Sequence, residues 1–252
     1  MNLKKNVKNG LASFYYNFYK RFQNEVGNRT ILYHSIGTEL EHDTYGISIS
    51  KERFKEHILY LKDNYELIFI DDKFSNNLDR NTLSITFDDG YKDNLYALEL
   101  CEKYKIPFTL YITTNEKGNK NYLNKSEILE FEKSEYCILG THSHTHPHLA
   151  SLNYEAQFRE LSNSKKILED ILSKEITHMS YPHGSYNKVT LEILDELRYN
   201  IVSSSHIGLN NINNLDLKRI KRIEIVSSDT ISDLDKKIKG YYDYLSLKEN
   251  TI

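Results

Sequence analysis

A chain of 252 residues, 39% hydrophobic and 27% charged, is long enough to bury a sizeable core, and this balance excludes a disordered, collagen-like or low-complexity polymer. No apolar stretch approaches the roughly 20 residues of a membrane span, and the N-terminus lacks the continuous apolar region of a secretory signal, so the expectation is a cytoplasmic protein. A formal net charge of −3 gives no global reason to expect a nucleic-acid partner, and two cysteines, Cys101 and Cys137, supply neither a disulfide framework nor a thiolate cluster.

Residues 1–27 stand apart from the rest. Lys4, Lys5, Lys8, Lys20 and Arg21 precede any acidic residue, and Leu3, Val7, Leu11, Phe14, Phe18 and Phe22 recur at spacings of three and four, the period of one helix face. The result is a basic amphipathic helix with two possible destinations: peripheral contact with an anionic membrane at its inner face, or docking on the protein's own domain.

From residue 28 to 252, short apolar runs alternate with amphipathic segments, as in a parallel sheet with crossover helices. Strands are expected at 31–34, 67–70, 83–87, 108–113, 137–140, 176–181, 201–204 and 220–226. Helices are expected at 51–64, 92–105, 126–132, 155–173 and 188–199. Ser126 is placed as an N-cap, and Pro107 follows the end of the second of these helices. About seven strand–helix units, without an internal repeat or a linker-like stretch, predict one barrel-like α/β domain.

In such folds the chemistry collects at the carboxyl ends of the strands. Asp88 and Asp89 end one strand, followed by Gly90 for a sharp turn, and adjacent carboxylates suit a division between metal ligation and proton transfer. After residue 140 come His142, His144, His146 and His148; both 142/146 and 144/148 have the i, i+4 spacing that shares a face in a helical turn. Two such imidazoles and one carboxylate make a three-ligand site with open positions. Tyr181-Pro182-His183-Gly184 forms a rigid turn whose backbone N–H groups can face a developing oxyanion, and His34 closes the first strand.

Together these segments resemble the polysaccharide deacetylase family (carbohydrate esterase family 4) over residues 29–240. Thr86-Phe87-Asp88-Asp89-Gly90 looks like its first motif, and His142-Ser143-His144-Thr145-His146 matches its His-[Ser/Thr]-x-x-His motif. Ile31-Leu32-Tyr33-His34, Gly208-Leu209-Asn210 and Arg222-Ile223 resemble the subgroup that acts in surface-polysaccharide assembly.

The resemblance implies a distorted (β/α)7 barrel that removes N-acetyl groups from amino sugars with one divalent metal ion, commonly zinc. It assigns Asp88 as general base, Asp89, His142 and His146 as metal ligands, and the His183 N–H as an oxyanion donor. Tyr91, Tyr181, Pro182 and Gly184 are the expected substrate contacts. The sequence departs from the pattern twice: Ser180 stands where many members carry an arginine directed at the base, and the C-terminal Leu-x-His that supplies the acid is absent. His34 is the favoured acid, with His206 as second candidate. The expected partner is an acylated amino sugar, free, nucleotide-linked, lipid-linked or polymeric, with N-formyl as an alternative to N-acetyl. The competing reading is a non-catalytic glycan-binding barrel that retains the motifs.

Overall fold

In the computed structural model, residues 3–115 and 120–248 are described. The elements follow as α1 (Leu3–Phe18), β1 (Asn28–Tyr33), β2 (Ser35–Ile36), β3 (Ser48–Ile49), α2 (Lys51–Asn64), β4 (Thr82–Phe87), α3 (Asn94–Tyr104), β5 (Phe108–Ile112), α4 (Lys125–Glu132), β6 (Cys137–Thr141), α5 (Tyr154–Leu172), β7 (His178–Ser180), α6 (Lys188–Glu196), β8 (Ile201–Ser203), β9 (Arg222–Glu224) and α7 (Ile231–Ile238). Seven strands make one parallel sheet in the order β8-β7-β6-β5-β4-β1-β9, with β2 and β3 paired separately.

The sheet curls until its edges nearly meet. At the seam, Ile220, two residues ahead of β9, donates its N–H to the Val202 carbonyl at 2.9 Å and accepts from the Ser204 N–H at 2.8 Å. The nearly closed seven-stranded barrel with its helices is the (β/α)7 architecture expected from the sequence. Every residue of β1 and β4 is buried, because a parallel barrel strand faces packed side chains inside and helices outside. Outside β1 and β4, Phe54 and Phe87 meet edge to face at 5.8 Å, as do Phe87 and Phe108 at 5.6 Å, tying α2 to neighbouring strands.

Some elements differ from the periodicity reading. Residues 67–70 do not form a strand: they make one bridge, Leu67 to Leu83, before β5 occupies that same edge of β4 from Thr86 onward. The cap of α4 is Asn124 rather than Ser126. Its Oδ1 accepts the Glu127 N–H at 3.1 Å, the Glu127 carboxylate accepts the Asn124 N–H at 2.9 Å, and Ser126 merely supports Asn124. α6 stops at Glu196, shortly before Arg198 turns left-handed at φ +57°.

The N-terminal helix docks, but through an unexpected face. Ala12 is buried, Tyr16 stacks on Tyr241 at 3.8 Å, and the Tyr242 hydroxyl donates to Asn9 at 2.8 Å. The Val7, Leu11, Phe14 and Phe18 stripe points the other way and is exposed.

Gly140, two residues before His142, lets β6 approach its neighbours: a Cβ there would lie 2.7 Å from the Tyr111 ring and 2.8 Å from the His178 carbonyl oxygen. Gly140→Ala is therefore expected to destabilise the barrel by about 1–3 kcal/mol. Urea unfolding checks it, and an unchanged midpoint would mean that β6 can shift freely.

Candidate active site

The carboxyl ends of the strands open into a cavity of about 630 Å³ whose wall includes His34, Asp88, Asp89, His142, His146 and His183. They come from four segments, after β1, β4, β6 and β7, and the backbone there is held in uncommon conformations. Asp89 (φ +74°), Ser143 (+61°), His146 (+59°) and His183 (+55°) are all left-handed. Conformations of this kind cost of order 1–3 kcal/mol each and persist only where the surroundings enforce them.

The enforcement is visible at residues 143–146. The Ser143 hydroxyl accepts the His146 N–H at 3.1 Å, and Glu160 on α5 accepts the N–H groups of His144 and Thr145 at 3.0 and 2.7 Å. This turn, rather than a helix, brings His142 and His146 together, with their Nε2 atoms 3.1 Å apart. Asp89 Oδ1 lies 3.5 Å from His142 Nε2 and 3.3 Å from His146 Nε2. The alternative pair does not converge: His144 Nδ1 meets the Thr114 hydroxyl at 3.0 Å, and His148 stacks on His183 at 4.0 Å.

These three side chains fit a divalent cation. One ligand atom from each of Asp89, His142 and His146 lies within 4.8 Å of the others. His142 Nδ1 faces the Ser180 carbonyl at 2.9 Å, so the ring proton belongs on Nδ1 and the Nε2 lone pair faces the cluster. Burial holds the His142 imidazole down to about 4, so it is neutral at physiological pH, as a ligand must be. Ser180 thus braces a histidine at the position where the family pattern has an arginine.

The arginine comes from β9. Arg222, fully buried, grips both oxygens of Asp88 at 2.7 and 2.8 Å and also donates to the Ser204 carbonyl at 2.8 Å. Burial alone would raise the Asp88 pKa, but the Arg222 charge, then His142 and the Arg222 hydrogen bonds, hold it well below the usual carboxylate range. Asp88 is therefore ionised, with Oδ2 3.8 Å from His142 Nε2. The sequence reading matched Arg222 to a subgroup motif but did not connect it with Asp88. The available signal was an arginine in the last strand run, Ile220-Lys221-Arg222-Ile223-Glu224-Ile225-Val226.

His34 follows β1 at the cavity wall, with Nδ1 3.7 Å from the Glu224 carboxylate. His206 lines a separate cavity, with Nε2 2.8 Å from the Tyr186 hydroxyl. The 182–184 turn is closed by the Gly184 N–H to the Tyr181 carbonyl and the Ser185 N–H to the Pro182 carbonyl; the His183 N–H takes part in neither bond. Gly184 has φ +63°, and a Cβ there would lie 2.8 Å from Ser205, while Pro182 is buried. Both shape the turn.

Tyr91 and Tyr181 reach the wall, but both are buried. The Tyr91 hydroxyl meets His42 at 3.0 Å, and the Tyr181 hydroxyl donates to the Lys218 carbonyl at 2.8 Å. Tyr45, which the sequence reading passed over, also lines the cavity and is 83% exposed. Its loop is held by Asp43, which accepts the N–H groups of residues 45–48 and whose pKa these bonds depress against the opposing effect of burial.

A parallel β/α barrel with carboxylates and imidazoles gathered at its strand ends is the framework of a barrel hydrolase. The polysaccharide deacetylase family model matches residues 75–202, and the chain belongs to that family. That stretch contains Asp88, Asp89, His142, His146 and His183 but neither His34 nor Arg222. YxkH of Bacillus subtilis (strain 168), a chain assigned to the polysaccharide deacetylases, is 28% identical over 188 residues; the match covers 71% of this chain and 64% of that one. The poly-beta-1,6-N-acetyl-D-glucosamine N-deacetylase of Staphylococcus aureus (strain MRSA252) is 25% identical over 218 residues, covering 78% of this chain and 73% of the relative. A Streptococcus pyogenes deacetylase solved with acetate shares the fold: TM-score 0.74, 22% identity, 85% of this chain and 99% of that one.

Arg222→Met would leave Asp88 buried without its partner, at an expected cost of about 3–5 kcal/mol near neutral pH. The Asp88 pKa is depressed in the folded state, so the pair's contribution is complete above the unfolded value of about 3.9 and is lost as pH falls through the folded value. Without Arg222, burial raises the Asp88 pKa and the variant regains stability as Asp88 takes up a proton, so the gap should narrow as pH falls from neutral and go on narrowing below about pH 4, as measured by urea unfolding across pH. A gap of constant size would show that Asp88 does not depend on Arg222.

Proposed function

We infer that this chain is a metal-dependent N-deacetylase acting on an acetylated amino sugar within a polysaccharide of the poly-N-acetylglucosamine type. The observation that carries the reading is the convergence of Asp89, His142 and His146 beside an ionised Asp88. The Staphylococcus aureus relative supports the substrate class. Two imidazoles and one carboxylate favour zinc among divalent ions.

A cation held by Asp89, His142 and His146 would polarise the acyl carbonyl and make water a stronger acid. Asp88, fixed by Arg222 and already ionised, accepts the proton of the attacking water as oxygen bonds to the carbonyl carbon. The His183 N–H donates to the oxyanion that develops on the carbonyl oxygen. Collapse breaks the C–N bond, and His34 delivers a proton to the departing amine. The products are acetate and a free amino sugar. Glu224, whose carboxylate lies 3.7 Å from His34 Nδ1, holds that ring at the cavity wall.

The test is acetate release from N-acetylglucosamine oligomers, with formate release from N-formyl analogues measured in parallel. Acetate release should stop with chelator and return with zinc. Asp88→Asn is expected to keep its bound metal while losing about 10²–10⁴-fold in rate, whereas His142→Ala should lose the metal itself. An Asp88→Asn enzyme as fast as wild type would remove Asp88 as the base. Metal retained at full occupancy by His142→Ala would remove the ligand assignment.

A further inference from the structure

The outward face of α1 has no partner within the described chain, and its composition indicates what it meets. Val7, Leu11, Phe14 and Phe18 lie along one side of the helix and Phe22 continues the line; they are 55–71% exposed, and the Phe14 and Phe18 rings lie 4.7 Å apart. An apolar row of this size on a soluble surface marks an interaction site. The helix is already anchored by its opposite side through Asn9, Ala12 and Tyr16, so the row is not a docking face that has failed to find its own domain.

The charge pattern selects the partner. In sequence, Lys4, Lys5, Lys8 and Arg21 share the segment with the row and the first acidic residue is Glu25; Lys20 is already paired with Glu25 and Asp243, and Lys8 lies over the Tyr242 ring. A copy of the same helix would place these like charges against one another, whereas a bilayer containing anionic lipid accepts both the cations and the rings. We propose that α1 is the membrane-docking element of this protein and that it lays its Val7-Leu11-Phe14-Phe18 face into an anionic lipid surface.

The position of α1 relates that surface to the barrel mouth. A second cavity, of about 690 Å³, is lined by Tyr15, Tyr19 and Lys20 on one side and by His206, Gly208 and Leu209 after β8 on the other. Ser205, the preceding residue of that loop, lines the active-site cavity. That loop runs on to Asn210, which bridges to Asn28 at the amino end of β1, so one loop connects the α1 side of the molecule to the catalytic opening.

The test uses the full chain and vesicles of phosphatidylcholine alone or mixed with phosphatidylglycerol. Wild type should co-sediment with the mixed vesicles and not with the neutral ones, and should be released at about 1 M salt, where charges are screened beyond about 3 Å. Phe14→Glu/Phe18→Glu should lower partitioning by roughly tenfold or more, and Arg21→Glu by a smaller factor. Both variants should keep the wild-type circular dichroism spectrum and unfolding midpoint. Acetate release from soluble oligomers should be unaffected, which separates this proposal from the deacetylase reading. Failure of wild type to bind mixed vesicles would overturn the proposal, as would equal binding to neutral ones. Self-association seen by light scattering and abolished by Phe14→Glu/Phe18→Glu would also overturn it, by assigning the face to a second copy.

Discussion

The buried ion pair between Asp88 and Arg222 is the interaction on which the rest of this site depends. Neither group can be held in a barrel interior alone, because the desolvation of an isolated charge exceeds anything the surrounding apolar contacts return. Together they form a two-point contact in which each Asp88 oxygen meets its own guanidinium nitrogen, and the third side of the guanidinium donates to the Ser204 carbonyl. Asp88 follows β4, Arg222 begins β9, and β1 lies between those strands; Ser204 follows β8 across the seam. One side chain thus fixes the base and joins the last strand to the edge it must meet, so barrel closure and the charge state of the base are one structural fact.

Rigidity at the mouth follows the same logic. Left-handed residues at 89, 143, 146 and 183 would relax if their turns were free; the Asp89 carbonyl is held by the Thr113 N–H at 3.2 Å, and the 183 turn is closed by its own backbone bonds. Glu160 reaches over from α5 to hold the 143–146 turn, and the Ser180 carbonyl fixes the His142 ring. Convergence of three ligand atoms is therefore a property of the scaffold, which is the preorganisation a cation site needs if binding is not to involve a rearrangement of the backbone.

How much of this was legible in the sequence depends on how local each feature is. The runs behind β1, β4, β5 and β6 and the amphipathic period of α2 and α5 are local, and each appears close to its expected place. The 67–70 run has the composition of a strand, yet its edge of β4 is taken by β5, a competition that no local window contains. The His-rich segment showed two i, i+4 pairs of equal standing. The family motif selected 142/146, and the physical reason lies in Ser143 and Glu160, which bend the segment into a turn that periodicity does not describe. In α1 the stripe was legible and its direction was not: an apolar stripe ordinarily faces inward, but Asn9 and Tyr16 contact the 241–242 segment at the far end of the chain and Ala12 is buried with them.

The arginine illustrates the same distinction at the centre of the chemistry. What the site requires is a cation beside Asp88, and that requirement is spatial. With Ser180 at the end of β7, the requirement is met from β9, which lies on the other side of β1 from β4 and whose Arg222 side chain crosses the buried interior to reach Asp88. The position released on β7 then carries a second task, since the carbonyl and hydroxyl of Ser180 both face His142 Nδ1 and fix the proton there. A larger side chain at 180 would have to fit where Ser180 is completely buried against His142 Nδ1. Base and ligand are thereby supported by different strands, so the charge on Asp88 and the tautomer of His142 are controlled by separate contacts within one small volume.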